Sequence, residues 1–289
     1  MNYLLHLIVL IELYVMLALS LNLMVGYTGL LTLAHAAFYG LGAYATTLLM
    51  VNWGFDFLFA LILAIAGTVL LSFLISFASL RFRGDYFILA TLAFQVIVFA
   101  VLYNWVDLTR GPYGIPGIPK PSLLGIKIDS LLSFSLFGFV VACLIAGFLA
   151  LIFRSPFGRT LQAIRDDELA ATALGKNVMS FKVRSVAIAS GCAAVAGALY
   201  ATYVTFIDPT SFTIDESILM LSMVIVGGTG NLKGPMVGAV MLIVLPELLR
   251  FLAIPDAVAA NIRLIIYGFL LIIMMHVRPQ GLAGKYQFE

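Results

Sequence analysis

The sequence predicts an all-α polytopic membrane protein of about 8–10 transmembrane helices, some of them broken or re-entrant. Three observations lead there. Hydrophobic residues make up 63% of the 289 positions and charged residues 10%, against about 25% charged in a soluble domain, so polar side chains are too few to cover a water-facing surface. Apolar runs long enough to cross a bilayer, which takes about 20 residues, recur along the whole chain. None shows the alternation over about ten residues that a membrane β-barrel requires.

The first run, MNYLLHLIVLIELYVMLALSLNLMVG, has no Lys or Arg ahead of it and no small-x-small cleavage site, so it reads as an uncleaved span over 3–25. A shorter run rich in Gly and Ala follows at 34–51. Regular spans are expected at 57–80, 86–106, 130–153, 183–206, 234–252 and 259–277. The stretch 217–229, SILMLSMVIVGGT, is too short for an ordinary crossing and reads as a half-span, a tilted span or a re-entrant segment. Counting every candidate gives nine crossings of a single transmembrane domain, 1–289. One set of loops, including those with Arg81, Arg154, Lys182, Lys233 and Arg278, holds 11 Lys and Arg; the other, with Arg110, Lys120, Lys127, Arg250 and Arg263, holds 5. The richer set is assigned to the cytoplasm, with the C-terminus inside and the N-terminus outside. A re-entrant course for either irregular segment would put the N-terminus inside.

Outside, the loop 107–129, DLTRGPYGIPGIPKPSLLGIKID, is punctuated by Gly and Pro that favour turns over helix. It reads as a spacer or as a rigid docking surface with Arg110, Tyr113 and Lys120 as contacts. A second outer loop, 208–217, is acidic through Asp208, Asp215 and Glu216, and Asp215 and Glu216 join the docking candidates. Two stretches echo each other as G-x-T-G-x-L: GYTGLL from Gly26 and GGTGNL from Gly227. Both follow an apolar run near the cytoplasmic side, which suggests a parallel internal repeat. Gly lets backbone bend beside a cavity or lets helices pack closely. Gly26, Tyr27, Thr28, Gly29, His35, Gly227, Gly228, Thr229 and Gly230 are therefore candidates for a path lining or a hinge.

Catalytic chemistry is missing from the pattern. GGTGNLKG fails as a phosphate loop because Lys233 is followed by Gly. His6, His35 and His276 are scattered, Cys143 and Cys192 sit in apolar runs, and no metal site or disulfide is expected. A net charge of +2 gives no reason to expect nucleic acid. Acids within spans are few: Glu12, and Glu247 with Arg250 one turn later. The chain reads as a path without its own energy source, passive or driven by a partner.

The charged island SPFGRTLQAIRDDELAATALGKN lies within the cytoplasmic loop 154–182. Ser155-Pro156 is a helix start. Phe157, Leu161 and Ile164 form one apolar stripe, with Arg159, Gln162 and Arg165 facing elsewhere. Asp166 or Asp167 caps a second short helix, Leu169, Ala170, Ala173 and Leu174 give it an apolar side, and Gly175 ends it. The pair reads either as a cover over its own helix ends or as a lever whose apolar ridge enters a partner's groove.

GYTGLLTLAHAAFYGLGAYA, RGDYFILATLAF, LTRGPYGI, the island and AGALYA, over about Gly26 to Gly238, resemble the permeases of branched-chain amino-acid ABC importers, and within them the M-type subunit that pairs with an H-type subunit. Related permeases carry urea, short amides and other small amino acids, so the resemblance leaves the substrate open. It implies a bacterial inner-membrane complex with a second homologous permease, two cytoplasmic ATPases that bind ATP and Mg, and an extracytoplasmic solute-binding protein, with no cofactor in this chain. It also implies that the island docks on the ATPase through Arg159, Leu161, Ile164, Arg165, Asp166, Glu168, Ala170, Ala171 and Gly175. The family's E-A-A-x-x-x-G pattern is interrupted here, since Leu169 intervenes after Glu168. An ion-coupled secondary transporter is the reading outside this family.

Overall fold

The computed structural model describes residues 2–82, 84–123 and 126–250, together with 265, 268–269, 272–274, 276 and 280–283. The span expected at 259–277 lies outside these residues except for scattered helical positions. In chain order the helices are α1 (Asn2–Thr28), α2 (His35–Trp53), α3 (Phe57–Ser79), α4 (Asp85–Asn104), α5 (Val106–Thr109), α6 (Leu131–Arg154), α7 (Pro156–Asp166), α8 (Glu168–Ala173), α9 (Val178–Val204), α10 (Ile214–Gly227) and α11 (Lys233–Arg250). Among the described residues six segments are long and apolar enough to cross a membrane, and the chain is a multi-pass membrane protein.

Helix α9 is the hub. Of its most apolar window 83% is buried, against 28% for each of α3, α4 and α6. Its Ala- and Gly-rich sequence explains the difference. Gly197 lies on the Tyr39 carbonyl and Gly42 on the Ala194 backbone, so a Cβ at either position would push α2 and α9 apart. Lipid supplies no hydrophobic drive for helices to associate, and close backbone approach supplies packing instead.

The two irregular segments are folded into the bundle. After α1 the chain turns back, and α2 starts level with the body of α1: a ring nitrogen of His35, Nε2, lies 2.9 Å from Ser20 Oγ. The turn's backbone is satisfied by side chains, with Leu33 N–H donating to Thr91 Oγ1 at 3.2 Å and Ala36 N–H to Ser217 Oγ at 3.0 Å. Helix α10 is 14 residues long and, with the 3-10 turn that precedes it, makes a 19-residue apolar segment, Pro209–Gly227. A 3-10 turn, Pro209–Phe212, capped by Asp208, carries the chain inward from the end of α9. Phe212 is buried against the rings of Tyr39, Tyr44 and Tyr200, and its carbonyl accepts from Gln95 Nε2 at 2.8 Å.

This corrects the expectation that 208–217 is an outer loop. Tyr14 and Gln95 lie in the middle of α1 and α4, and both meet the start of α10. Phe212, Met220 and the helix behind them bury too much apolar surface to remain in water.

The loop 107–129 has short elements of its own, as its turn residues predict. Helix α5 and a 3-10 turn, Gly111–Tyr113, lead into strand β1 (Ile115–Pro116), and β2 (Ser122–Leu123) pairs with β3 (Ile126–Lys127). Strand β1 pairs antiparallel with β4 (Phe206–Ile207), fastening the loop to the end of α9. His6, Lys120, Asp129 and Tyr203 line one cavity of about 300 Å³, so the start of α1 shares an end of the bundle with this loop. The opposite end carries α7, α8 and residues 280–283, where the Leu282 N–H bonds the Val226 carbonyl at 2.9 Å.

Candidate functional site

The echoed stretches, which begin 201 residues apart at Gly26 and Gly227, meet in the structure. Asn22, one turn before Gly26 on α1, donates from Nδ2 to the Asn231 carbonyl at 2.8 Å and accepts the Gly230 N–H at 3.3 Å. Asn231 in turn accepts the Gly234 N–H at 2.7 Å, capping α11, and donates to the Ala283 carbonyl. One amide on each side thus replaces the backbone partners that the helix ends lack. Sequence reasoning missed both residues; the available signal was an Asn inside an apolar span, where an unpaired amide is costly.

Gly26, Tyr27, Thr28, Gly227, Gly228 and Thr229 are buried at this junction, Gly230 is half-buried and Gly29 is exposed. A Cβ at Gly26 would strike the Asn22 side chain and the Gly230 nitrogen, while Gly227 packs against Gly234 and Gly238. Gly29 takes φ 72°, the left-handed conformation in which α1 ends. Tyr27 stacks on Phe153 of α6 with ring centres 3.8 Å apart, and Thr28 Oγ1 bonds the Leu23 carbonyl at 2.8 Å. The stretches therefore form a close-packed joint between helix ends. His35 stands apart from it, fully buried with Ser20 in the body of the bundle.

The island reaches this joint through Arg165, the penultimate residue of α7. Its Nη1 donates to the Gly26 carbonyl at 2.5 Å, and its Nε and Nη2 both lie 2.9 Å from Asp166 Oδ1. The side chain of Arg165 is 9% exposed, so the guanidinium is held in protein while Asp166 stays in solvent. A charged donor on a helix-terminal carbonyl also complements the negative end of the α1 dipole.

The two short helices form where the sequence places them, but their apolar sides divide. Ser155 caps α7, Leu161 and Ile164 are buried, and Phe157 stacks on Phe181 of α9 with centres 5.4 Å apart. The stripe expected to form a partner-facing ridge instead fixes α7 to the bundle, because α1, α6 and α9 already cover that face. Asp167, of the two cap candidates, closes α8: its Oδ1 accepts from Leu169 N at 2.8 Å and Ala170 N at 2.9 Å. Leu169 and Leu174 are 73% and 80% exposed, with Ala170 and Ala173 exposed between them and Ala171 buried. Glu168 pairs with Lys182 at 2.7 Å, Arg159 is exposed, and Gly175 leaves the helix at φ 76°.

At the other end, Arg110 and Tyr113 are exposed and Lys120 donates to the Asp129 carbonyl. Asp215 is exposed, but on the first turn of α10 inside the bundle's depth, and Glu216 accepts the Tyr14 hydroxyl at 2.9 Å. These two carboxylates do not share a surface loop with Arg110.

Residues 3–275 match the family model described as branched-chain amino acid transport system / permease component. The chain is 35% identical to the high-affinity branched-chain amino acid transport system permease protein LivM of Salmonella typhimurium, covering 93% of this chain and 67% of that protein. It is 27% identical to the probable branched-chain amino acid transport permease protein LivM of Methanocaldococcus jannaschii, covering 94% and 91%, and 25% identical to the probable LivH of the same organism, covering 94% and 89%. No solved structure matches.

Proposed function

The chain belongs to the family of branched-chain amino acid transport permeases, and from that premise we propose that it forms half of an importer's path for branched-chain amino acids, driven through α7 and α8. The observation that carries the proposal is the Arg165 tie, which joins the island to the joint where both Gly-Thr-Gly stretches meet. In this reading a cytoplasmic ATPase that binds ATP and Mg engages the exposed apolar side of α8. Its closure displaces α8 and α7 together, and Arg165 passes the displacement to the ends of α1, α10 and α11. A ligand-driven change needs contacts that differ between two states, and the Arg165–Gly26 hydrogen bond is a contact of that kind.

A second permease supplies the other half of the path, which the similarity to proteins named LivM and to one named LivH supports. A solute-binding protein delivers the amino acid at the end carrying Arg110, Tyr113 and Lys120. Asp215, exposed at mid-depth on the first turn of α10, is better placed to face the shared path than to meet that delivery protein.

The test is Arg165→Ala in the complex reconstituted with its ATPases. A hydrogen bond from a charged group contributes about 1.5–3 kcal/mol. Assembly and ATP hydrolysis are expected to persist while amino-acid uptake per ATP falls about ten-fold or more. Uptake at the original stoichiometry would show that the tie does not carry the stroke.

A further inference from the structure

Helices α3, α6 and α9 leave an open groove between them that the transport reading does not use. Its deeper part has a volume of about 500 Å³ and runs between Ile65 and Val69 of α3, Leu144 and Phe148 of α6, and Ala187 and Gly191 of α9. A second part of about 470 Å³ continues it past Phe148, Ala187 and Ile188, which line both, to Phe73, Phe157 and Arg184. The groove exists because α9 presents Ala187, Gly191 and Val195 in one row at i, i+4 and i+8. From Val195 to Arg184 the helix advances about 16 Å, half of a hydrocarbon core roughly 30 Å thick. That is the reach of one acyl chain in one leaflet.

The charge at its mouth is one-sided. Arg184 lines the groove, is exposed, and makes no ion pair with another described residue. Each of the other two walls ends in arginine as well: Arg154 is the last residue of α6, and Arg81 follows α3 with its guanidinium 4.8 Å from the Phe77 ring. The carboxylates described at that end are engaged or elsewhere. Asp166 is held by Arg165, Asp167 caps α8, Glu168 pairs with Lys182, and Asp85 opens α4; none of them lines the groove.

We propose that this groove is a binding site for one anionic phospholipid, its acyl chain lying along Ala187 and Gly191 and its phosphate meeting Arg184. A zwitterionic lipid fits the apolar part equally well but brings its own cation to a mouth lined by Arg184. A helix from a second protein would need to bring its own acid to Arg184, whereas an anionic lipid carries its phosphate at the end of its acyl chains. The site abuts Phe157 at the start of α7, so the lipid rests against the island's own first turn.

Native mass spectrometry of the full chain, released from micelles after mixing with equal phosphatidylglycerol and phosphatidylcholine of the same acyl chains, tests this. The wild type is expected to retain one phosphatidylglycerol in preference, and Arg184→Gln to lose about five-fold of that preference. Gly191→Leu fills the groove and is expected to lower retention of both lipids with circular dichroism unchanged. Equal retention of the two lipids by the wild type overturns the proposal, as does an undiminished preference in Arg184→Gln. So does a spectrum in which the groove is closed by a lipid-free dimer that Gly191→Leu disrupts.

Discussion

Helices α7 and α8 are separated by a single residue, Asp167, yet they treat their leucines in opposite ways. Leu161 on α7 is fully buried; Leu169 and Leu174 on α8 are mostly exposed. Both helices are short, both are capped by a side chain, and both carry an apolar side. The difference lies in what surrounds them. α7 is roofed by α1, α6 and α9, whereas α8 packs on α7 and α9. An amphipathic pattern therefore announces that a helix has a face to cover and leaves open whether the chain itself covers it. In this molecule the inner helix is anchored and tied to the joint, and the outer one leaves its two leucines exposed.

The comparison is broken most severely at Leu161. Removing a buried Leu side chain costs about 2–5 kcal/mol, and a carboxylate in its place adds the penalty of an uncompensated buried charge. Leu161→Asp is expected to abolish recovery of folded chain, read as loss of the monodisperse peak and of a thermal transition in detergent. A well-folded Leu161→Asp chain would mean that α7 can swing free of the bundle.

The outer arm should respond in the reverse manner. Leu169→Asp combined with Leu174→Asp changes two exposed positions, so folding stability is expected to stay within about 0.5 kcal/mol per site. Co-purification of the ATPase should be lost, because two charges replace the apolar side of the proposed contact. Retained ATPase binding with unchanged affinity would move the docking surface away from α8.

Much of this region can be read from residue order alone. Ser155-Pro156, the acid before α8 and Gly175 mark two helices with their caps, since capping depends on neighbours within three or four positions. Residues 217–229 also stand out as an apolar run too short for an ordinary span, and residue order leaves open whether they form a half-span, a tilted span or a re-entrant segment. What residue order does not reveal is long-range. The meeting of Asn22 with Asn231 joins positions 209 apart, and the burial of Leu161 is set by helices from three other parts of the chain. The loop 208–217 looked external for the same reason: its acids suggested water, while the aromatic residues that receive Phe212 come from α2 and α9.

Asp167 sets the boundary between the two arms and gives a smaller effect. Its Oδ1 satisfies two backbone N–H groups of α8, and an N-cap aspartate replaced by alanine costs about 1 kcal/mol. Asp167→Ala is expected to speed amide exchange across 168–173 while leaving 156–166 protected, because α7 is held by its buried stripe. Equal acceleration in both helices would indicate that they unfold as one unit.

The smallest change is expected at Glu168, which reaches Lys182 on α9 at 2.7 Å. The two side chains are 39% and 15% exposed, so water and salt screen much of their attraction. Such a pair contributes about 0–1 kcal/mol, and Glu168→Gln keeps the shape of the side chain while removing its charge. The melting temperature is therefore expected to move by only a few degrees at low salt, and by less as ionic strength rises. A loss as large as that of Leu161→Asp would mean that α8 is fastened to the bundle by its charge, and not by its buried Ala171.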